Sequence, residues 1–451
     1  MEAADKDIAI TSCPNAIAPP ICVQESTETI ELWTGKADLT QTSASQTGDA
    51  RVYVDTLPRP IIRFEFQADS NYPDKTGLSQ LRQVFQGEVL KSGELVCDPL
   101  LGRVAVNPTN STGTAMRGVV HGWISKPKER FSSAKFLVIN GPSVRGKTIR
   151  RANAAFVGRL QNDTGPVAVT IDCLTSKTPS ARSVFGFTHV AEIRFNQPQD
   201  FDQFERVSSI LFNTLSLMRG GWVGLVGPWL YENDGLRVIS TEVTKTSRNS
   251  RQMNWCDDSI PDVFEKLFPC LQAAFDESER REALQTGLHW LIESQQCAGG
   301  VEGSLVLQQA ALEALAWFEI VQFRKLCSYS GFESLPAADK IRWFASLRCI
   351  PTSIPPQYTE LVNYARAHPQ IDDLPGLLVD VRNALVHGSP KKVRRLLERP
   401  RGDDERTDLW WLITGILEQA VLAVSNYRGM ILRREIDTQL AVAAVRQVPW
   451  V

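Results

Sequence analysis

The period of the hydrophobic residues changes partway along the chain, and that change constrains the fold more than any other feature. Before Trp255-Cys256, short apolar runs are separated by Gly, Pro, Asn and Asp turns. Examples are Ile61-Ile62-Arg63-Phe64-Glu65-Phe66, Gly118-Val119-Val120-His121-Gly122-Trp123-Ile124, Phe136-Leu137-Val138-Ile139 and Val167-Ala168-Val169-Thr170-Ile171, a pattern of β-strands. One interval, 200–218, instead carries Phe204, Val207, Leu211, Leu215 and Met218 at helical spacing. After residue 258 the strand signals stop. Helical patterns then cover about 261–275, 277–295, 303–326, 337–347, 356–367, 374–387 and 407–433. The expected fold is α+β multidomain: an irregular segment 1–45, a β-rich sensor or recognition domain 46–255, and an all-α helical bundle 256–451. No internal repeat of the solenoid kind is present.

Composition narrows the class. Lys and Arg total 49 against 51 Asp and Glu, so a nucleic-acid partner would have to be met by a local basic patch rather than by net charge. The N-terminus, Met1-Glu2-Ala3-Ala4-Asp5-Lys6-Asp7, lacks an apolar segment, and no apolar run approaches the roughly 18 residues that span a bilayer. A cytoplasmic protein without a membrane partner is expected. The nine cysteines are scattered without a Cys-x-x-Cys pair, which fits neither a disulfide framework nor a zinc site. No metal and no cofactor are expected.

The chemistry-bearing segment is Val381-Arg382-Asn383-Ala384-Leu385-Val386-His387-Gly388. Leu374, Leu377, Leu378, Val381 and Leu385 recur at three- and four-residue steps and mark a core face. Asn383 and His387 share another face one turn apart, Arg382 is long enough to swing over it, and Gly388 with Pro390 ends the helix. An imidazole with a pKa near neutrality can carry a proton, and a guanidinium can follow charge building on phosphoryl oxygens. These are the groups of a metal-free ribonuclease. The competing reading makes Arg382 a cap on helix-end carbonyls and His387 a partner of the helix dipole.

The C-terminal half resembles the HEPN domain (higher eukaryotes and prokaryotes nucleotide-binding), an all-α domain whose ribonuclease members carry Arg followed four to six residues later by His. The whole chain resembles bacterial abortive-infection proteins of the ApeA type. The resemblance rests on Arg382 to His387, on Thr188-His189-Val190-Ala191-Glu192-Ile193-Arg194-Phe195, Phe212-Asn213-Thr214-Leu215-Ser216-Leu217-Met218-Arg219-Gly220-Gly221 and Leu288-His289-Trp290-Leu291. It also rests on Val301-Glu302-Gly303-Ser304-Leu305 running into Ala310-Ala311-Leu312-Glu313-Ala314-Leu315-Ala316-Trp317. A helical insert at about 331–366 departs from the pattern.

The resemblance implies a homodimeric endoribonuclease toxin of antiviral defence, acting on cellular or phage-related RNA, with tRNA among the substrates considered. A phage or small-molecule trigger would act at the N-terminal domain. His387 would move the proton, Arg382 would stabilise the transition state, and Asn383 would orient phosphate or imidazole. Glu313 or Glu302, eleven residues apart on one helix, would pair with Arg382, and Glu313 is favoured because apolar residues surround it. Lys391, Lys392, Arg394 and Arg395 form a basic stripe suited to RNA phosphates, although Asp403, Asp404 and Glu405 follow closely, as in a solvated loop.

Two alternatives stand beside this reading. One is a catalytically inactive helical module that binds RNA or nucleotide. The other is a P-loop NTPase, since Gly141-Pro142-Ser143-Val144-Arg145-Gly146-Lys147-Thr148 satisfies the phosphate-loop pattern. That pattern requires a helix directly after Lys147-Thr148, whereas Ala154-Ala155-Phe156-Val157-Gly158-Arg159-Leu160 reads as a strand. His121, His189 and His368 lack carboxylate or cysteine partners at metal-ligand spacing, and His289 reads as a packed residue.

Overall fold

The structure is a computed structural model that describes residues 13–23, 29–41, 44–56, 58–69, 93–97, 100–112, 115–123, 126–143, 146–151, 154–174, 185–248, 254–256, 260–297, 299–386, 405–434 and 445–450. It divides into two compact units, Met1–Phe212 with Trp222–Arg251, and Asn213–Gly221 with Gln252–Val451. The architecture is α+β, with β-structure first and helices after it.

In the first unit, β1 (Thr29–Gln41), β2 (Ala44–Asp55), β3 (Ile61–Ala68), β4 (Gly93–Val96), β5 (Arg103–Thr112) and β6 (Ala115–Trp123) close into a barrel of order β1-β2-β3-β6-β5-β4. Alternation explains it: Ile62, Phe64, Phe66 and Ala68 of β3 point inward and the residues between them do not. Gly118 of β6 permits close pairing with β5, because a Cβ there would lie 2.2 Å from the Asn107 carbonyl oxygen.

β1 falls where an irregular segment 1–45 was expected. Its register shifts between Glu31 and Trp33, so Leu32 and Trp33 are buried consecutively and the two-residue alternation is broken.

β7 (Phe131–Ile139), β8 (Lys147–Arg151), β9 (Ala154–Asn162), β10 (Val167–Cys173), β11 (Phe187–Gln199), β12 (Gly224–Glu232) and β13 (Gly235–Ile239) form an antiparallel sheet of order β13-β12-β7-β11-β10-β9-β8. Helix α1 (Phe201–Arg219) follows β11, and Phe204 meets Phe131 and Phe195 edge-on at 6.5 and 4.8 Å. The N-terminal segment covers edge strand β8. The Ala16 amide donates to the Arg150 carbonyl and the Arg150 amide to the Pro14 carbonyl, both at 2.8 Å, and the Ile17 amide donates to Asp172 at 2.6 Å.

The second unit holds α2 (Val263–Asp276), α3 (Ser278–Gln296), α4 (Gly300–Trp317), α5 (Tyr329–Glu333), α6 (Ala337–Leu347), α7 (Thr359–Ala367), α8 (Leu374–Val386) and α9 (Glu405–Val424), with the pair β14 (Met430–Leu432) and β15 (Val445–Gln447). α4 packs against α3, α6, α8 and α9, burying Leu305, Ala311, Leu312, Leu315 and Ala316. It passes into a π-helical turn at Phe318–Phe323 instead of continuing as an α-helix to residue 326.

α9 ends at Val424, nine residues before the expected 433, because Asn426 adopts a left-handed φ of 59° and closes the helix. Two helical stretches, Gly300–Phe323 and Arg406–Val424, are long and apolar enough to cross a membrane. Their apolar windows are 61% and 78% buried within the protein, as in core helices.

The end of α1 counts with the helical unit. Asn254 Nδ2 donates to the Leu217 and Met218 carbonyls at 3.1 and 2.5 Å, and Trp255 Nε1 donates to Leu217 at 2.9 Å. These bonds satisfy terminal carbonyls that the helix leaves open. The Trp255 amide in turn donates to Glu418 Oε1 at 3.2 Å. Arg434 grips the same carboxylate with Nε and Nη2, both at 2.7 Å, and stacks over Trp411 at 4.1 Å. Glu418 and Arg434 side chains are only 1% and 4% exposed.

These buried ionisable groups have measurable consequences. Glu418→Gln leaves Arg434 charged and uncompensated away from water, so it should cost about 3–5 kcal/mol, read as a lowered urea midpoint of the helical unit. His189 in β11 is 6% exposed with Nδ1 2.8 Å from Thr188 Oγ1, and burial pushes its pKa from 6.5 down to about 4. The unfolded imidazole therefore takes a proton that the folded one refuses. Stability is intact above about pH 6.5 and falls as pH drops towards 4. Between pH 7 and 4.5, His189→Gln should remove about 2–3 kcal/mol of the acid-side loss, measured by denaturant titration at both pH values.

Candidate functional site

The helix carrying the arginine motif is fixed at its start. The Asp373 carboxylate accepts the Gly376 amide at 2.8 Å, capping α8 where a negative charge favours the helix dipole. Arg342 of α6 grips Asp373 with Nε and Nη2 at 2.7 and 2.8 Å and also reaches Asp339 and Asp372. The hydrogen bond to Asp373 leads in raising the Arg342 pKa above its usual range. The segment read as an insert at 331–366 is thus integral to the unit: α6 packs on both α4 and α8.

The core side of α8 buries Leu374, Leu377, Leu378, Val381 and Ala384, with Leu385 half-buried. The other side presents Arg382 and Asn383, both half-buried, and Arg382 Nη1 donates to Asn383 Oδ1 at 3.2 Å. The arginine does swing over its neighbour's face. Among the described residues no carboxylate pairs with Arg382.

Three residues earlier, Asp380 accepts the Tyr364 hydroxyl of α7 at 2.8 Å. Tyr364 stacks on His368 with ring centroids 4.2 Å apart, and His368 Nδ1 donates to the Tyr364 carbonyl at 2.8 Å. Sequence reasoning missed Tyr364 and Asp380 and gave His368 no role. The available signal was the three-residue step from Asp380 to Asn383, which puts both on one side of a helix.

Glu313 does not meet Arg382 among these contacts. It accepts Gln309 Nε2 at 2.8 Å and lies 3.8 Å from Lys340 Nζ. The physical reason is α6: its Lys340 is nearly buried, also sits 5.0 Å over the Phe332 ring, and needs an anion from α4. Glu302 is paired with Arg406. His387 lies outside the described residues, as do Lys391, Lys392, Arg394 and Arg395.

The phosphate-loop pattern is not built as a phosphate loop. Lys147 opens strand β8 and pairs with Arg159 of β9, so no helix N-terminus faces the turn. A Cβ at Gly146 would lie 2.0 Å from the Arg159 carbonyl oxygen, and the Gly141 amide is spent on Thr188 Oγ1 at 2.8 Å. Asp172, towards the end of β10, is fully buried and held by Arg159 through two 2.7 Å bonds. Among the described residues no group of three or more His, Cys, Asp or Glu could hold a metal ion.

The described side chains can therefore bind an oxyanion through a guanidinium braced by an amide on the outer side of α8. Comparison with known proteins corrects the family. Residues 277–438 match the profile of the YopA C-terminal domain and residues 126–249 that of the YopA central domain. The barrel strands β1–β6 precede both matched ranges. The SPbeta prophage-derived uncharacterized protein YopA of Bacillus subtilis (strain 168) is 23% identical over 354 residues, covering 75% of this chain and 77% of the relative. No solved structure matches. The HEPN and ApeA assignment is overturned by these matches, and the homodimer that it implied loses its ground with it. In its sheet-and-helix part and in its helical bundle, the chain is similar to the central and C-terminal domains of YopA.

Proposed function

We propose that the helical unit cleaves RNA without a metal, through Arg382, Asn383 and His387, in a phage-related setting. The observation that carries it is the Arg382–Asn383 pair: a guanidinium set on the outer side of a rigid helix, bonded to an amide and not neutralised by any described carboxylate. A permanent cation in that state suits a phosphodiester. His387 is the next residue beyond α8, which is described to Val386.

The reaction needs a base, an acid and an electrostatic clamp. His387 takes the proton of the ribose 2′-hydroxyl, the 2′-oxygen attacks phosphorus, and the bond to the 5′-oxygen breaks as that oxygen takes a proton from water, whose hydroxide then recovers the proton held by His387. The products are a 2′,3′-cyclic phosphate and a 5′-hydroxyl. Arg382 steadies the charge on the phosphorane oxygens, and Asn383 holds the guanidinium in place. Lys391, Lys392, Arg394 and Arg395 supply sequence-independent phosphate contacts. Glu313 serves Lys340 and has no part in the step. The β-rich unit acts as the recognition part that responds to a trigger, and the site of action is the cytoplasm. The prophage origin in the name of the Bacillus subtilis relative supports the phage-related setting.

The test uses full-length protein incubated with total RNA in excess EDTA, with new 5′-hydroxyl ends counted. Wild type should cut, and His387→Ala and Arg382→Ala should each lose about 10²-fold or more in rate. Glu313→Gln should leave the rate within about twofold of wild type. Bound but uncut RNA would replace this reading with that of an RNA-binding module.

A further inference from the structure

The polar side of α8 continues past Arg382 and Asn383 into an aromatic pair that the cleavage chemistry does not use. Asp380 stands one turn before Asn383, about 4.5 Å along the helix axis, and accepts the Tyr364 hydroxyl at 2.8 Å. That bond fixes α7 against α8 at the level of the candidate phosphate site. On α7, Tyr364 and the following His368 lie one turn apart with rings 4.2 Å between centroids and 23° from parallel. The His368 Nδ1 proton is committed to the Tyr364 carbonyl, which locks the imidazole over the phenol. Both rings are half-buried. A core pair would be buried and a solvated pair would have no tether. This pair is rigid and reachable.

We infer that the Tyr364–His368 stack is a platform for an unpaired nucleobase of the RNA whose phosphate sits at Arg382 and Asn383, an inference that rests on the proposed RNA-cleaving function. Two stacked, tethered rings offer a flat π-surface at little further entropy cost, and every base has a face to lay on it. The chemistry selects single-stranded RNA over a duplex, whose bases are already stacked, and it tolerates different sequences. The segment 331–366 gains a physical role in this arrangement, since its Tyr364 is tied to Asp380 of α8.

The experiment measures binding of the full-length protein to a fluorescent single-stranded 2′-O-methyl oligoadenylate, which lacks the attacking hydroxyl, and to the same backbone with abasic sugars. Wild type should bind the adenylate about 5- to 150-fold more tightly than the abasic strand, the range that one to three kcal/mol of stacking converts to. Tyr364→Ala and His368→Ala should erase that ratio, while Tyr364→Phe, which keeps the ring and loses the hydroxyl bond to Asp380, should retain most of it. His368→Ala leaves the Tyr364 hydroxyl bond in place, so it stays informative where Tyr364→Ala misfolds. A ratio that persists in His368→Ala, or a wild type indifferent to the bases, overturns the platform while the cleavage reading stands on its 5′-hydroxyl ends. A wild type that binds neither strand overturns both.

Discussion

A carboxylate sealed from water organises the helical unit. Glu418 sits in the middle of α9, and removing it from solvent carries a penalty that only several donors can offset. They come from distant parts of the sequence: Arg434 after α9, the Trp255 amide before α2, and Gln295 at the end of α3. Because the bonds are directional, their joint satisfaction admits few arrangements of these segments. Trp255 and its neighbour Asn254 also close the last carbonyls of α1, so the same point ties in residues 213–221. α9 and α4 then pack together, with Gln308 donating to Thr414 Oγ1 at 2.7 Å, and α8 is laid against both.

That ordering sets what α8 can present. Its apolar side is consumed by the core and its N-terminus by the Asp373–Arg342 grip, which leaves Asp380 to hold Tyr364 of α7 and Arg382 and Asn383 on the outer side. Polar residues fixed on a helix that is held at several points are better placed for chemistry than the same residues on a loop. The division of labour among the acids follows from this. Glu313 answers the nearly buried Lys340, Glu302 answers Arg406, and no described carboxylate answers Arg382.

Much of the fold was legible where one rule governs burial. The alternation in β3 and the helical stripe of α9 read directly, because Phe64 and Phe66, or Leu409, Ile413 and Leu417, obey a single period. β1 was not legible because its bulge places Leu32 and Trp33 side by side in the core. The end of α9 depended on the left-handed Asn426, a local conformation that a stripe of hydrophobics does not announce. At the site, the outward direction of Arg382 and Asn383 followed from the helix period. The partner of Glu313 did not, because it is set by the packing of α6 on α4, a tertiary fact. The family was misread because a six-residue pattern and stretches of four to ten residues carry little information beside profiles that match 277–438 and 126–249.

In the proposed reaction a 2′-oxygen, activated at the end of α8, breaks the phosphodiester. That step is tested most directly with a short RNA whose cut position is first mapped and then rebuilt with one 2′-deoxy sugar on the 5′ side of that bond. The protein should bind the substituted strand and leave that bond intact in EDTA, while the all-ribose strand should yield a 2′,3′-cyclic phosphate. Cleavage of the deoxy-substituted bond at an undiminished rate would contradict it, because the nucleophile would then have to be water.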